Sequence, residues 1–261
     1  MITARRRGRL TRLTVVLLSA GLCGLPRLAV GQPPGPPAFV REQAKTVTFY
    51  YKAPDPRLGP RLMKELLKKE NVEHPWFATN GHVLVLMGAM FGDIAAGKPE
   101  VVREYEAAFA DAPPAGRRVV VRSLTNCGDK ETVKRVDAWL VDRRYADIRP
   151  ELEALKKHLE DPQRKHVRDR PARTPDDLDL LWANFFVTGE YGPVARLLDV
   201  FDQPDLRETV PLKRVARWSL ESNLQQHPKL AEVIRAHAKE RPAGSRKVID
   251  ELLAKPKDSK P

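Results

Sequence analysis

Six histidines, one cysteine in the body of the chain and a run of cations are the residues whose chemistry could go beyond packing. The histidines stand at positions 74, 82, 158, 166, 227 and 237. Zinc sites place His and Cys at short fixed spacings, as in His-Glu-x-x-His, because ligands one helical turn apart converge on one ion. No pair here has that spacing. His74 and His82 could converge with Glu73, but His74 precedes Pro75 and reads more simply as a loop residue. His227 precedes Pro228 and reads as the residue ending a helix. Acyl transfer needs a nucleophile, a base and a group that orients the base. No Gly-x-Ser-x-Gly occurs, and no serine has a persuasive context. Cys127 is the one candidate thiol, and a small buried residue at a helix end is its plainer reading. No catalytic residue, metal site or cofactor is expected from these patterns.

Two stretches could hold an anion. Gly189-Glu-Tyr-Gly192 resembles a phosphate cradle at a helix start, where backbone N–H groups converge. No Lys and Ser or Thr follow it, and Glu190 would repel a phosphate. The stretch KKHLEDPQRKHVRDRPAR, 156–173, carries seven cations, Lys156, Lys157, Arg164, Lys165, Arg168, Arg170 and Arg173, against three acids. Such a patch could meet an anionic partner, lipid headgroups, envelope polymers or an acidic protein. Its alternative is a solvated linker between two helical halves. Aromatic residues that would stack on bases are absent from it, which argues against nucleic acid.

The elements that must position these residues are helical. Leu62, Met63, Leu66 and Leu67 make one apolar stripe and predict a helix over 59–70. HVLVLMGAMFGDI, 82–94, is apolar on every side, which predicts a central helix with Gly88 and Gly92 allowing a close crossing. A strand over 83–87 is the alternative. Amphipathic helices are predicted over 99–109, 114–125 and 130–141, the second weakened by the triplet Val119 to Val121. Ile148, Leu152, Leu155 and Leu159 give a one-sided surface helix. The clearest helix start is RTPDDLDLLWANFF, with Thr174 as N-cap, Pro175 at the first helical position and acids in the first turn. Helices near 212–224, 229–239 and 245–253 complete the chain. Trp139, Trp182 and Trp218 fall within helical stripes and are expected in the core.

The 261 residues, 42% of them hydrophobic, suffice for one large domain, two small ones or an elongated helical array. The net charge of +12 is uneven. Residues 1–31 hold six arginines and no acid, and without them 40 basic residues face 34 acidic ones, or +6. A basic start, the apolar run LTVVLLSAGLCGL and the small residues Ala29-Val30-Gly31 read as a signal peptide cleaved near Gly31. The run of about 13 residues falls short of the ~20 that a membrane-spanning helix requires. An uncleaved membrane anchor is the alternative; a lipoprotein signal at Cys23 is disfavoured by bulky Leu22. The mature chain is therefore expected in the periplasm or secreted, not spanning a membrane, and with Cys127 alone it has no internal disulfide. Residues 32–45 read as a proline-rich flexible tether, TVTFYY (46–51) as an extended lead-in, 46–254 as the helical domain and 255–261 as a disordered tail.

Three turns align by their glycines, Gly97, Gly128 and Gly189. Five residues on stand Val102, Val133 and Val194; eight on, Tyr105, Val136 and Leu197; twelve on, Phe109, Leu140 and Phe201. A spacing near 30 residues suits stacked helical hairpins, although any helix after a turn places apolar residues at such offsets. Gly189 reads as a helix stop with positive φ, and Gly192-Pro193 as the start of the next helix.

The unit Leu181-Trp182-Ala-Asn-Phe-Phe-Val-Thr-Gly189-Glu-Tyr191 resembles a tetratricopeptide-type hairpin. Its spacing is nearer 31 than 34, no unit has the full Trp, Gly, Tyr, Ala and Pro set, and residues 143–173 break the phase. With LDLLWANFFVTGEYGPV and ARWSLESNLQQHP, the chain over 46–240 is similar to exported bacterial helical-repeat proteins of no assigned activity. That resemblance implies no catalytic residues. The fold expected is all-α, stacked antiparallel hairpins in an α-solenoid-like superhelix. The function expected is an interaction scaffold for a protein or peptide in the cell envelope. An enzyme or small-ligand protein with a pocket between helices is the alternative.

Overall fold

The structure is a computed structural model describing residues 35–166, 169–207 and 209–254. The expected signal peptide, the start of the tether, Arg168 and the expected tail lie outside these residues. Every regular element among the described residues is helical. The α-helices are α1 (Ala38–Thr48), α2 (Leu58–Leu66), α3 (Lys69–Val72), α4 (Trp76–Thr79), α5 (Gly81–Ala95), α6 (Pro99–Asp111), α7 (Pro114–Cys127) and α8 (Lys130–Val141). Then follow α9 (Arg149–Glu160), α10 (Pro175–Thr188), α11 (Tyr191–Asp199), α12 (Thr209–Gln226), α13 (Pro228–His237) and α14 (Ala243–Ala254).

The centre is α5, whose residues from Gly88 to Ala95 are all buried. An all-round apolar helix has to be covered on several sides, and α5 is covered by α7, α10, α2 and α4. Its closest crossing is with α7. A Cβ on Gly88 would stand 2.8 Å from Arg122 Cβ and 3.1 Å from the Val119 carbonyl oxygen. At Gly92 it would stand 2.5 Å from the Ser123 carbonyl oxygen and 2.7 Å from Asn126 Cβ. The predicted role of both glycines therefore holds. The strand alternative over 83–87 does not, since these residues lie inside α5. The triplet Val119 to Val121 is helical, because burying three valines among the helices around α7 outweighs a small loss of helix propensity.

Around α5 the chain builds two groups of helices. In the first, α6 packs on α7, α7 on α9 and α9 on α8. Charge pairs tie the neighbours: Arg135 to buried Glu106 at 2.7 Å, Arg118 to Glu151 at 2.9 Å and Lys156 to Asp137 at 2.6 Å. In the second, α10 carries α11 and α12, and α13 packs on both of these. After α9 the connection 161–174 brings the chain back, and α10 docks on α5 instead of extending the first group.

Four local readings change. Residues 38–48 are helix α1, with Phe39, Ala44 and Val47 buried and packing against α10, so 38–45 are not a flexible tether. TVTFYY is the end of α1 and a 3-10 turn over Tyr50–Lys52, not an extended lead-in. Trp218 faces solvent at 37% exposure, whereas Trp182 is buried and Trp139 stacks on Phe109 at 4.0 Å. The three glycine turns are not equivalent. Gly97 and Gly189 adopt φ of 72° and 66°, the left-handed conformation that favours glycine. Gly128 has φ −65° and ψ 150°, and its place is set by crowding, with Leu124 carbonyl oxygen and Leu159 against the Cβ position. Along the helices that follow these turns, Val102, Tyr105 and Phe109 are all buried, but Val133, Leu140 and Phe201 are only half-buried.

Thr174 is the N-cap expected of α10, and the structure adds a reciprocal bond from Asp177. The Thr174 hydroxyl accepts from the Asp177 N–H at 3.2 Å, and the Asp177 carboxylate accepts from the Thr174 N–H at 2.8 Å.

Candidate functional site

The connection 161–174 draws together polar groups from four parts of the chain. Asp93, in the last turn of α5, is 8% exposed. Its Oδ2 accepts from Asn184 of α10 at 2.7 Å, and its Oδ1 accepts from Asn126 of α7 at 3.3 Å. His166 of the connection places Nε2 3.1 Å from the same Oδ1. A buried carboxylate is tolerated only when paired and hydrogen-bonded, and these three side chains supply that. They also pin α7, α10 and the connection to α5.

A carboxylate beside an imidazole is two thirds of a nucleophilic triad. The nearest thiol is Cys127, and burial, with Asp93 and Glu106 adding negative potential, pushes its pKa well above the usual thiol range. Its Sγ donates to the Ser123 carbonyl oxygen at 3.3 Å. A protonated thiol committed to its own helix is no nucleophile, so the reading of Cys127 as a packed residue at a helix end stands. Among the described residues no group of three or more His, Cys, Asp and Glu is arranged to hold a metal ion.

The cations of 156–173 do not form one patch. Lys156 is held by Asp137 at 2.6 Å and Glu160 at 3.8 Å. Lys157 lines an open groove between α8 and α9, of about 400 Å³, with Leu140, Glu153, Lys156, Glu160 and Asp161. Arg164 donates to the Gly128 carbonyl oxygen at 3.2 Å. Lys165 is exposed and offers its carbonyl to Arg170 at 3.1 Å. Arg173 is exposed, its backbone N–H bound by Asp177. Val141, at the rim of α8, is 83% exposed.

A buried histidine lies apart from these groups. His227 is fully buried between α12 and α13, with ring centroids of Phe49, Phe186, Phe185 and Tyr51 at 4.7, 5.0, 5.9 and 5.9 Å. Its Nδ1 lies 3.3 Å from the Tyr51 hydroxyl, while Nε2 has no partner. It does end a helix, as its place before Pro228 indicated, and it is also a core residue. His74 accepts the Trp76 N–H at 3.2 Å in the turn before α4, a local loop role.

Asp179 of α10 is the acid most altered by its surroundings. Burial, with Asp176 one turn away, pushes its pKa from 3.8 up to about 7. Stability linked to this group is therefore complete below pH 3.8, is lost as pH rises from there to about 7, and is level above that. Asp179→Asn should raise Tm above pH 7, with the gain shrinking toward pH 5. A gain of equal size at pH 5 and pH 8 in thermal melts would contradict the shift.

Sequence reading alone missed Asp93, Asn126 and Asn184. Asp93 left one signal, a lone acid in an otherwise apolar helix. Comparison with protein-family models, curated proteins and solved structures found no match. No helix among the described residues is long and apolar enough to cross a membrane.

Proposed function

We propose that the mature chain acts in the cell envelope as a helical-repeat scaffold for a protein or peptide partner. The observation that carries this reading is the open groove between α8 and α9. Leu140 lines it together with charges of both signs, Lys157 and Glu153 among them, and Val141, the next residue of α8, is exposed. Such a surface suits a peptide with one apolar side chain flanked by charged residues. The order α5, α7, α9, with α6 and α8 as their hairpin partners, supports a short solenoid-like stack, the architecture that presents extended faces to partners. The second group of helices makes this stack short and closes it at α5. The enzyme alternative draws on the Asp93–His166 pair, but Asp93 is also held by Asn126 and Asn184, and Cys127, the nearest thiol among the described residues, is protonated.

Export rests on the basic and apolar residues 1–31. Two results test the proposal together. Fractionation should find the chain outside the cytoplasm and shortened by about 31 residues, the length of the signal region read above. A photo-crosslinking amino acid at Val141 should capture one protein adduct in cells, and the same group at Ala107, on the exposed face of α6, should not. Full-length cytosolic protein, or identical adducts from both positions, would refute it.

A further inference from the structure

The outer face of α12 carries apolar side chains where a surface helix usually carries polar ones. Five large apolar side chains are exposed among the described residues, Val85, Val141, Leu206, Val210 and Trp218, and three of them share this face. Single exposed apolar residues are ordinary, but three in one row mark a contact surface. The Leu206 carbonyl oxygen accepts the Val210 N–H at 3.1 Å, which puts Leu206 in helical register with α12. Thr209 fixes this start: its hydroxyl donates to the Pro204 carbonyl oxygen at 2.6 Å and accepts the Leu206 N–H at 2.8 Å. Leu206, Val210, Arg214 and Trp218 therefore follow one another at four-residue steps, in a row about 18 Å long. The opposite face, with Leu212, Ala216, Leu220 and Asn223, is the one that α12 buries, so packing of the helix does not account for the row.

The charge along the row is positive. Arg214 is exposed between Val210 and Trp218, and Arg207 is exposed beside Leu206. The carboxylates described near them have other partners. Lys213 holds Asp205 at 2.6 Å, and Arg217 holds Glu221 at 3.1 Å and Glu251 at 2.7 Å. Peptide partners are taken up in grooves or at sheet edges, whereas this row stands on the outer side of one helix. A lipid surface adapts to such a shape, takes Trp and aliphatic side chains at the headgroup level, and draws Arg when its lipids are anionic. Trp suits that level because its ring is apolar and its N–H polar.

We propose that the outer face of α12, through Leu206, Val210, Arg214 and Trp218, docks on an anionic lipid surface with the helix lying along it. Trp218 and the two aliphatic side chains enter the headgroup layer, and Arg214 meets lipid phosphates between them. This face is separate from the groove between α8 and α9 and does not rest on the scaffold reading.

The test is sedimentation of the 32–261 chain with vesicles of phosphatidylglycerol and phosphatidylcholine in equal parts, and with phosphatidylcholine alone, while tryptophan emission is read in parallel. Residues 1–31 are left out because their own basic and apolar stretches would bind vesicles. The wild type should sediment with the mixed vesicles only, and its emission should shift to the blue, since Trp218 is exposed while Trp76 and Trp182 are already buried. Trp218→Phe should still sediment but lose the shift. Trp218→Ser should lower the affinity about tenfold, and Arg214→Glu by at least as much. Lys165→Glu, the same change of charge at an exposed position of the connection 161–174, should bind as the wild type does. Equal losses from Lys165→Glu and Arg214→Glu with Trp218→Ser unaffected would mean general attraction of a positive chain and would overturn the proposal. Equal sedimentation with both kinds of vesicle would overturn the anionic requirement. A wild type that stays in solution with both would overturn lipid docking and leave the row to a protein partner.

Discussion

Gly92→Val should leave little native protein. The Cβ added at this position would stand 2.5 Å from the Ser123 carbonyl oxygen and 2.7 Å from Asn126 Cβ, a backbone atom and the first atom of a side chain. Neither can swing aside as the end of a long side chain would, so α5 and α7 have to separate. Separation also pulls Asn126 from Asp93, which would then hold a buried carboxylate with one donor fewer. For alanine the expected cost is about 3 kcal/mol, at the upper end for overpacking, and for valine more. In a domain of this size about 3 kcal/mol lowers Tm by roughly 10 °C. Gly81→Ala is the control, because nothing lies within 4 Å of its Cβ position and alanine favours the helix. Thermal melts should show Gly81→Ala unchanged or raised and Gly92→Ala far below wild type. Equal Tm for the two variants would mean that α5 and α7 do not cross as closely as described.

His227→Ala should cost about 3 kcal/mol, in the range for truncating a large buried ring. It empties a space walled by Phe49, Tyr51, Phe185 and Phe186, where α1, α10 and the α12–α13 turn meet. The same burial, with Lys52 adding positive potential, lowers the ring's pKa from 6.5 to about 4. A folded-state pKa below the unfolded one means that its contribution to stability is complete above 6.5. That contribution is lost as pH falls from 6.5 toward about 4. His227→Phe keeps the ring and removes the titration. Denaturant melts should therefore show wild type losing stability across this window while His227→Phe loses less. Parallel curves for the two proteins would remove His227 as the source.

What the sequence made legible was mostly local. Thr174, Pro175 and Asp177 lie within four residues, so the start of α10 is written in consecutive positions. Gly88 and Gly92 are four apart in an apolar helix, and that spacing alone announces a close crossing. Gly189 as a left-handed helix stop is equally local. By contrast, α1 hides behind its prolines, because Phe39 and Val47 become a buried face only when α10 arrives, more than 120 positions later in the chain. Asp93 and Asn184 are 91 residues apart, so no spacing rule joins them. The equivalence of the three glycine turns failed at Gly128 for a similar reason: its neighbours Leu124 and Leu159 belong to two different helices. Trp218 misled because a helical stripe identifies a face without saying what covers it. The cations of 156–173 were visible as a run, but their separation into Lys156 held by Asp137, Arg164 on Gly128 and exposed Lys165 was not, since it depends on how α7, α8 and the connection meet.

The scaffold reading stands or falls on the groove beside Val141. The most direct measurement is calorimetric titration of the segment cross-linked from Val141 into the 32–261 chain and into Val141→Asp. Saturable binding at one site, weakened about tenfold or more by Val141→Asp with an unchanged helical circular-dichroism spectrum, is the predicted result. Equal binding by both proteins, or chemical conversion of the segment during the titration, would contradict it.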